Sequence, residues 1–315
     1  MSKQPIILVT GGAGYVGAQL VRMLVAQPPF NEYTIRIYDN LQRQRYSGLM
    51  DLPPDGHYEF IEGDILDRMN LGRAMQGAKI VVHLAAIVRT PTSFEHPEWT
   101  EQVNHWGTAT VVETAMNARV ERFLYASSAS VYGSGGPFRE EDICHPVGPY
   151  PVSKLRGETE VIEASKRGLA MTIVRLGTVF GNSPAMRFDA ITSHSVYLAG
   201  VGRPMVVHGN GEQIRPSIHI HDAAAALILC LNNPATFNQI INAVTINPSV
   251  NEIMQTLQKL VPSADIHYTD QETLTDISYA VDSSKLMALG FQPHYTLEQG
   301  LSEMLARFRG FQAKQ

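Results

Sequence analysis

Cysteine is scarce in this chain: Cys144 and Cys230 are the only two among 315 residues. Two cysteines cannot build a disulfide framework or a four-cysteine zinc site. No run approaches the length of a membrane-spanning helix, and no apolar signal-peptide stretch precedes the first strand-like segment. Basic charge is not in excess. Twenty-five Lys and Arg against 30 Asp and Glu leave a net charge of −5, which excludes broad electrostatic affinity for nucleic acid. Low-complexity tracts and solenoid repeats are missing as well. These absences make a cytoplasmic protein with no membrane or nucleic-acid partner the expectation. With 44% hydrophobic and 17% charged residues, the chain has material for a sizeable core.

The apolar residues fall into two alternating patterns. Short β-branched or aliphatic runs at Ile6–Thr10, 34–38, 58–62, 80–84, 122–127 and Met171–Leu176 read as strands, and their continuous rather than alternating apolarity fits burial on both faces. Amphipathic stretches at 15–26, 66–75, 100–117 and 151–166 read as helices between them. Strand and helix in repeated alternation predict a doubly wound parallel α/β sheet. After about residue 180, Gly, Pro, Asn and Ser become frequent. A helix at 223–231, one more strand at Gln239–Ala243 and a terminal helix at 297–308 are expected there.

The first strand runs into Thr10-Gly11-Gly12-Ala13-Gly14-Tyr15-Val16-Gly17. Gly12-x-Gly14-x-x-Gly17 and Gly11-x-x-Gly14-x-x-Gly17 both fit the fingerprint of a dinucleotide-binding turn. One glycine permits the tight turn, one admits a pyrophosphate against the backbone, and one lets helix and strand pack closely. The helix that follows offers free N–H groups and a positive dipole end to phosphate. An acid about 20 residues on should bind the adenosine ribose; Asp39, followed by Asn40, ends the second strand. A carboxylate there repels a 2′-phosphate and favours NAD over NADP, although Arg43 and Arg45 follow closely enough to receive one.

Tyr150-Pro151-Val152-Ser153-Lys154 places an amine one helical turn after a phenol. Pro151 suits a first helical turn and sets Tyr150 at or just before the helix start. A nearby ammonium favours phenolate and makes the tyrosine a general acid/base for an alcohol proton. Upstream, the run from Tyr125 to Gly133, with Ser127 and Ser128, ends a strand at the carboxyl edge where open α/β sheets bind ligands. A hydroxyl there can hydrogen-bond the same substrate oxygen.

With these residues in place the sequence resembles the extended short-chain dehydrogenase/reductase superfamily, in its NAD-dependent nucleotide-sugar epimerase/dehydratase branch typified by UDP-glucose 4-epimerase. The marks are the glycine turn at 10–17, Gly63-Asp64-Ile65, His83-Leu84-Ala85-Ala86, Asn104-x-x-Gly107-Thr108, Ser-Ser-Ala-Ser-Val-Tyr-Gly at 127–133, Tyr150-x-x-x-Lys154, Arg175 with Val179-Phe180-Gly181, and Arg215 with Ile218-His219-Ile220-x-Asp222. The resemblance implies a Rossmann-type NAD-binding domain at 1–180, with a returning segment near 236–246. It implies a smaller, mainly substrate-binding α+β domain at 181–315. It assigns Gly11, Gly14, Tyr15, Val16, Gly17, Asp39, Asn40, Asp64, Ile65, Leu84, Ala85, Ala86, Asn104, Ser127, Tyr150 and Lys154 to the NAD side. Asp64 and Ile65 match adenine contacts, and Leu84 to Ala86 match the loop beside the pyrophosphate and nicotinamide ribose. Tyr150 matches the acid/base, Lys154 the residue that tunes it, and Ser128 the catalytic hydroxyl, with Ser127 as the off-by-one alternative. Thr178 falls where many epimerases carry a sugar-contacting Asn, and Arg215 matches a ligand of the nucleotide diphosphate. Arg89 follows the Ala85-Ala86 turn, either beside substrate or solvated. In the family a second subunit packs on helices such as 100–117 and 151–166, so a homodimer is expected.

The departures narrow the reaction. Relatives that carry out 4,6-dehydration place an Asp-Glu pair after the catalytic Thr; Ala129 and Ser130 stand there. Thr273 stands where many epimerases carry a diphosphate-binding arginine just before an Asp like Asp276. Arg187 is the candidate replacement, unless it serves a salt bridge to Asp189 that holds its loop. His194 lies on a helix where relatives bind diphosphate through Asn, or is simply a surface histidine. His219 and His221 would share one face of a strand, but no third spaced ligand joins them and no metal is expected. His83 reads as a satisfied core histidine. The implied activity is epimerisation of a nucleotide-diphosphate sugar, most naturally at C4. An NAD(P)H-dependent keto-sugar-nucleotide reductase needs the same residues, and a catalytically silent NAD-binding regulator remains the reading from another class.

Overall fold

A computed structural model describes residues 4–270 and 277–310. Thr273 and Asp276 lie outside the described residues. Seven parallel strands form the central sheet: β1 (Ile6–Thr10), β2 (Thr34–Asp39), β3 (His57–Glu62), β4 (Ala78–His83), β5 (Arg122–Ser128), β6 (Met171–Leu176) and β7 (Gln239–Ala243). Their spatial order is β7-β6-β5-β4-β1-β2-β3. All seven are the strands expected from the sequence, with small shifts at their ends. The order reverses between β4 and β2, on either side of β1, so a crevice opens beyond the carboxyl ends of β1 and β4.

Strand alternation divides the apolar residues between two layers. Ile7 and Val9 pack with Leu20, Val21 and Leu24 of the helix Tyr15–Leu24 and with Ala223 and Leu227 of the helix Ile220–Asn232. Leu8 packs on the other face with Val111 and Ala115 of Gly107–Asn117 and Val161 and Ala164 of Pro149–Lys166. Each large apolar side chain buried this way contributes about 1.5–3 kcal/mol. A separate cluster gathers Val196, Met205, Val207, Ile253, Leu257 and Leu301. They come from the helices Ile191–Gly200, Val250–Leu260 and Leu297–Leu305 and from the strand Met205–His208, which pairs with Ile266–Thr269. No described helix is long and apolar enough to cross a membrane.

Several helix ends differ from expectation for local reasons. The first helix stops at Leu24, ahead of Pro28 and Pro29. The second starts at Arg68, not 66, because the Asp67 carboxylate caps it by accepting from the Met69 and Asn70 N–H groups at 3.1 and 3.0 Å. The stretch expected from 100 begins at Pro97 and passes through a π-turn at Gln102–Trp106 before Gly107–Asn117. Tyr150 is inside the helix Pro149–Lys166, in its first turn. The terminal helix tightens after Leu305 into a 3-10 turn, Ala306–Phe308. His219 and His221 do not share a strand face: the strand ends at His219, whose ring Nδ1 accepts from His221 N–H at 3.4 Å and caps the helix Ile220–Asn232.

One buried ion pair locks the helix Pro149–Lys166 to the sheet. Glu158 and Arg175 are bidentate at 3.0 and 2.7 Å, with side-chain exposures of only 1% and 4%. Burial opposes charge on Arg175, and the Glu158 carboxylate overrides it, so the guanidinium is held above its ordinary pKa. The Ser127 hydroxyl donates to the same carboxylate at 2.5 Å. Removing one partner strands a charge in the core. Arg175→Met is expected to lose about 3–5 kcal/mol in urea unfolding, whereas the double change Glu158→Leu with Arg175→Met recovers most of it.

Candidate active site

The glycine turn fits because side chains are excluded from it. Gly11 has φ +71°, and a Cβ there would lie 2.6 Å from the Ala85 backbone nitrogen. A Cβ on Gly17 would lie 2.3 Å from the Gly11 carbonyl oxygen. The turn is therefore pressed between β1 and the loop after β4. The helix it opens, Tyr15–Leu24, has Gly14 at its N-cap, no side-chain cap and no acid in its first turn. Its free N–H groups and dipole are left for an anion.

One cavity gathers Gly11, Gly14, Tyr15, Val16, Gly17, Asp39, Asn40, Asp64, Ile65, Leu84, Ala85 and Ala86, together with Arg45 and Arg187. Asp39 accepts from Leu41 N–H at 2.9 Å and Ala13 N–H at 3.1 Å. Burial raises its pKa, and these two backbone donors offset part of that cost. Asn40 donates to Asp64 at 2.9 Å, and Asp64 also accepts from Leu66 N–H, which sets the pocket rim. Tyr15 donates to the Gly181 carbonyl at 2.5 Å and so joins the turn to the second half of the chain.

Ser128, Tyr150 and Lys154 stand outside that cavity wall but are tied to it. Asn104 holds the loop after β4: its Oδ1 accepts from Ile87 N–H at 2.7 Å, and its amide donates to Ile87 O at 2.9 Å and Ser153 Oγ at 3.0 Å. Ser153 in turn donates to Tyr150 O at 2.7 Å. Asn104 thus braces the loop after β4 against the helix Pro149–Lys166. The Ser127 hydroxyl is turned to the buried Glu158. Ser128, its neighbour on the opposite side of β5, faces Tyr150.

The Tyr150 phenol is raised above its ordinary pKa by burial, while the Ser128 hydroxyl and the Arg187 charge act in the opposite sense. The Lys154 ammonium lies 4.3 Å from the centre of the Tyr125 ring, a cation–π contact. Lys154 is 3% exposed. Among the described residues its ammonium makes no hydrogen bond. Burial pulls its pKa down to about 7, against the pull of the Glu158 carboxylate. A buried ammonium lacking acceptors is a site for ligand hydroxyls. Together with the bare helix N-terminus and the side-chain-free turn, it fits a dinucleotide with a pyrophosphate and two riboses. His83 is a core group: Thr10 Oγ1 and Thr108 Oγ1 lie 2.7 and 3.0 Å from its ring nitrogens, and burial lowers its pKa to about 3.

The remaining expected residues scatter. Thr178 begins the strand Thr178–Phe180 just past β6, with its N–H on Pro216 O at 2.7 Å. Arg187 makes the loop salt bridge, bidentate to Asp189 at 2.8 and 2.7 Å, while its guanidinium lines the glycine-turn cavity. Arg215 donates to the Ile277 carbonyl. His194 and Arg89 are exposed. Tyr279 was not singled out from sequence. It sits on the strand Tyr279–Val281, which pairs with Gly135–Phe138. Burial raises its phenol pKa; the Arg215 charge opposes this and Tyr150 adds to it, so both lie within electrostatic reach of Tyr279. Only that long-range pairing reveals it.

Comparison with known proteins agrees with this geometry. The chain is 28% identical over 314 residues to the low-salt glycan biosynthesis protein Agl12 of Haloferax volcanii, covering 96% of this chain and 98% of that one. A UDP-glucuronic acid 4-epimerase from Bacillus cereus, solved with UDP-glucuronic acid and NAD, superposes with a TM-score of 0.87 at 25% identity, covering 96% and 99% of the two chains. The dTDP-glucose 4,6-dehydratase DesIV from Streptomyces venezuelae, solved with NAD, gives a TM-score of 0.87 at 25% identity and covers 96% and 97%. A profile described as the NAD dependent epimerase/dehydratase family matches residues 7–243. The chain belongs to that family of enzymes.

Proposed function

We propose that this protein is an NAD-dependent epimerase of a nucleotide-diphosphate sugar, acting at C4 through transient oxidation to the keto-sugar and re-reduction. The observation that carries the reading is the Ser128 hydroxyl on the Tyr150 phenol, with Lys154 one helical turn further on and, among the described residues, no carboxylate acting on that phenol. Ala129 is buried and Ser130 Oγ lies 2.8 Å from Ser128 Oγ. Neither can supply the acid and base that elimination of water from the sugar requires. The 4-epimerase neighbour favours the same reading.

The chain's own residues divide the work. The glycine turn and the bare helix N-terminus hold the pyrophosphate, Asp39 the adenosine ribose, and Asp64 with Ile65 the adenine. Leu84, Ala85 and Ala86 flank the nicotinamide half, and Lys154 binds its ribose. NAD, when bound, supplies a hydride acceptor at the sugar carbon and gives the hydride back. Ser128 and Tyr150 grip the sugar hydroxyl, and Tyr150 takes its proton and later returns it. Thr178 lies beside the sugar, Arg215 holds the nucleotide diphosphate, and Tyr279 presents a second phenol between them. The keto-sugar turns over in the pocket and offers its other face. We extend the proposal to a homodimer through the helices of 97–117 and 149–166, where Trp106 is 62% exposed.

The buried amine has a consequence for pH. Unfolded Lys154 has a pKa of about 10.4, and the folded amine has one of about 7. Between those values the unfolded chain holds a proton that the folded protein has released, so this group makes stability rise with pH across that window. Below about 7 both states are protonated and the burial penalty is complete. Urea unfolding of nucleotide-free protein from pH 6.5 to 9.5 should show this rise, and Lys154→Met should flatten it. Function itself is tested by proton NMR with a panel of UDP- and dTDP-sugars. Interconversion of C4 epimers without net change in NAD is the expected result, and Tyr150→Phe should slow it by about 10²-fold or more. Net consumption of NADH would indicate a reductase, and release of a 4-keto-6-deoxy sugar a dehydratase.

A further inference from the structure

Two cationic residues from distant segments line one cavity beside the glycine turn. Arg45 belongs to the loop after β2, Arg187 to the segment after Thr178–Phe180, and both line the cavity that holds Gly14 and Gly17. Arg187 is balanced by Asp189, bidentate at 2.8 and 2.7 Å. Arg45 is half-buried, and among the described residues its guanidinium makes no hydrogen bond or ion pair. The nearest acid on its own wall, Asp39, already has its two oxygens on backbone N–H groups. Burial and then the Arg187 charge push the Arg45 pKa down, with Asp189 pulling the other way, so the two guanidinia of this cavity lie within each other's field. Both fields also reach the phenol of Tyr15, the first residue of the helix whose N-terminus is bare. Two like charges partly removed from water repel each other, and an anion between them reverses the sign.

We propose that Arg45 and Arg187 form a two-sided clamp on the pyrophosphate of the dinucleotide, closing on it from opposite walls of the cavity. The inference rests on the NAD reading above and adds to it. One arm comes from each half of the chain, so the bound dinucleotide ties the halves together and leaves slowly. A cofactor held that way serves an enzyme that returns the hydride to the same substrate, because the dinucleotide need not exchange between turnovers. Arg187 also acts on the Tyr150 phenol; the clamp therefore joins the phosphate site to the acid/base.

The test is calorimetric titration of the full chain, freed of nucleotide, and of its Arg45→Gln, Arg187→Gln and double variants, with NAD, ADP, NADP and adenosine. Each single change should weaken NAD and ADP by about tenfold and leave adenosine unchanged, and the double variant should lose NAD faster in stopped-flow release. Unchanged melting of the nucleotide-free variants separates a lost contact from a lost fold. Arg45→Gln carries the test alone if breaking the Asp189 pair unsettles the Arg187 loop. NAD affinity unaltered in Arg45→Gln would overturn the clamp. So would a loss confined to NADP, which would assign Arg45 to a 2′-phosphate, or an equal loss for adenosine, which would mean a damaged pocket. Wild-type protein that binds adenosine but no dinucleotide would remove the cofactor reading, and the clamp with it.

Discussion

A lysine side chain held almost wholly inside the protein is the constraint on which this site depends. Lys154 is enclosed by the sheet and its helix, rests on the face of Tyr125 and has no acceptor of its own among the described residues. Such a group is costly to bury. It is tolerated because Glu158, one turn further along the same helix, lends it a favourable field. Glu158 is itself fixed by Arg175 from β6 and by Ser127 from β5. Helical geometry then sets Tyr150 one turn earlier on the same face, opposite Ser128 at the end of β5. The Tyr150–Lys154 turn is thus held in place by a core ion pair.

The parts legible in the sequence were those written in local pattern. The seven strands showed as short continuous apolar runs, and the glycine turn showed through spacing at a strand-to-helix junction. Tyr150 and Lys154 were legible for the same reason: a four-residue interval on a helix opened by a proline. The parts that were not legible depend on partners far along the chain. The bracing of Asn104 depends on Ile87 and Ser153, which engage its amide from distant segments. Ser127 and Ser128 are equivalent in sequence and are separated only by which side of β5 holds Glu158. Arg187 could have served substrate, and its position on the cavity wall comes from a loop anchored through Asn182 to Glu303 and through Ser183 to Tyr15. Tyr279 gives no local signal at all.

The proposed choice of one reaction within the family rests on what surrounds the phenol. A Ser/Tyr/Lys set with a dinucleotide can remove and restore a hydride and a proton. Elimination needs a further acid and base beside the neighbouring carbons. In this protein the positions after Ser128 are a buried alanine and a serine engaged with Ser128. Under the proposed reading, a keto-sugar formed there is re-reduced from either face.

That fate can be followed with a label. A nucleotide sugar carrying deuterium at C4, converted by the enzyme and analysed by mass spectrometry, should yield an epimer that keeps its deuterium at C4, because the hydrogen removed is the hydrogen returned. Epimer formed with the deuterium replaced by solvent hydrogen would mean that C4 is inverted by proton exchange, and the account centred on Tyr150, Lys154 and a dinucleotide would be wrong.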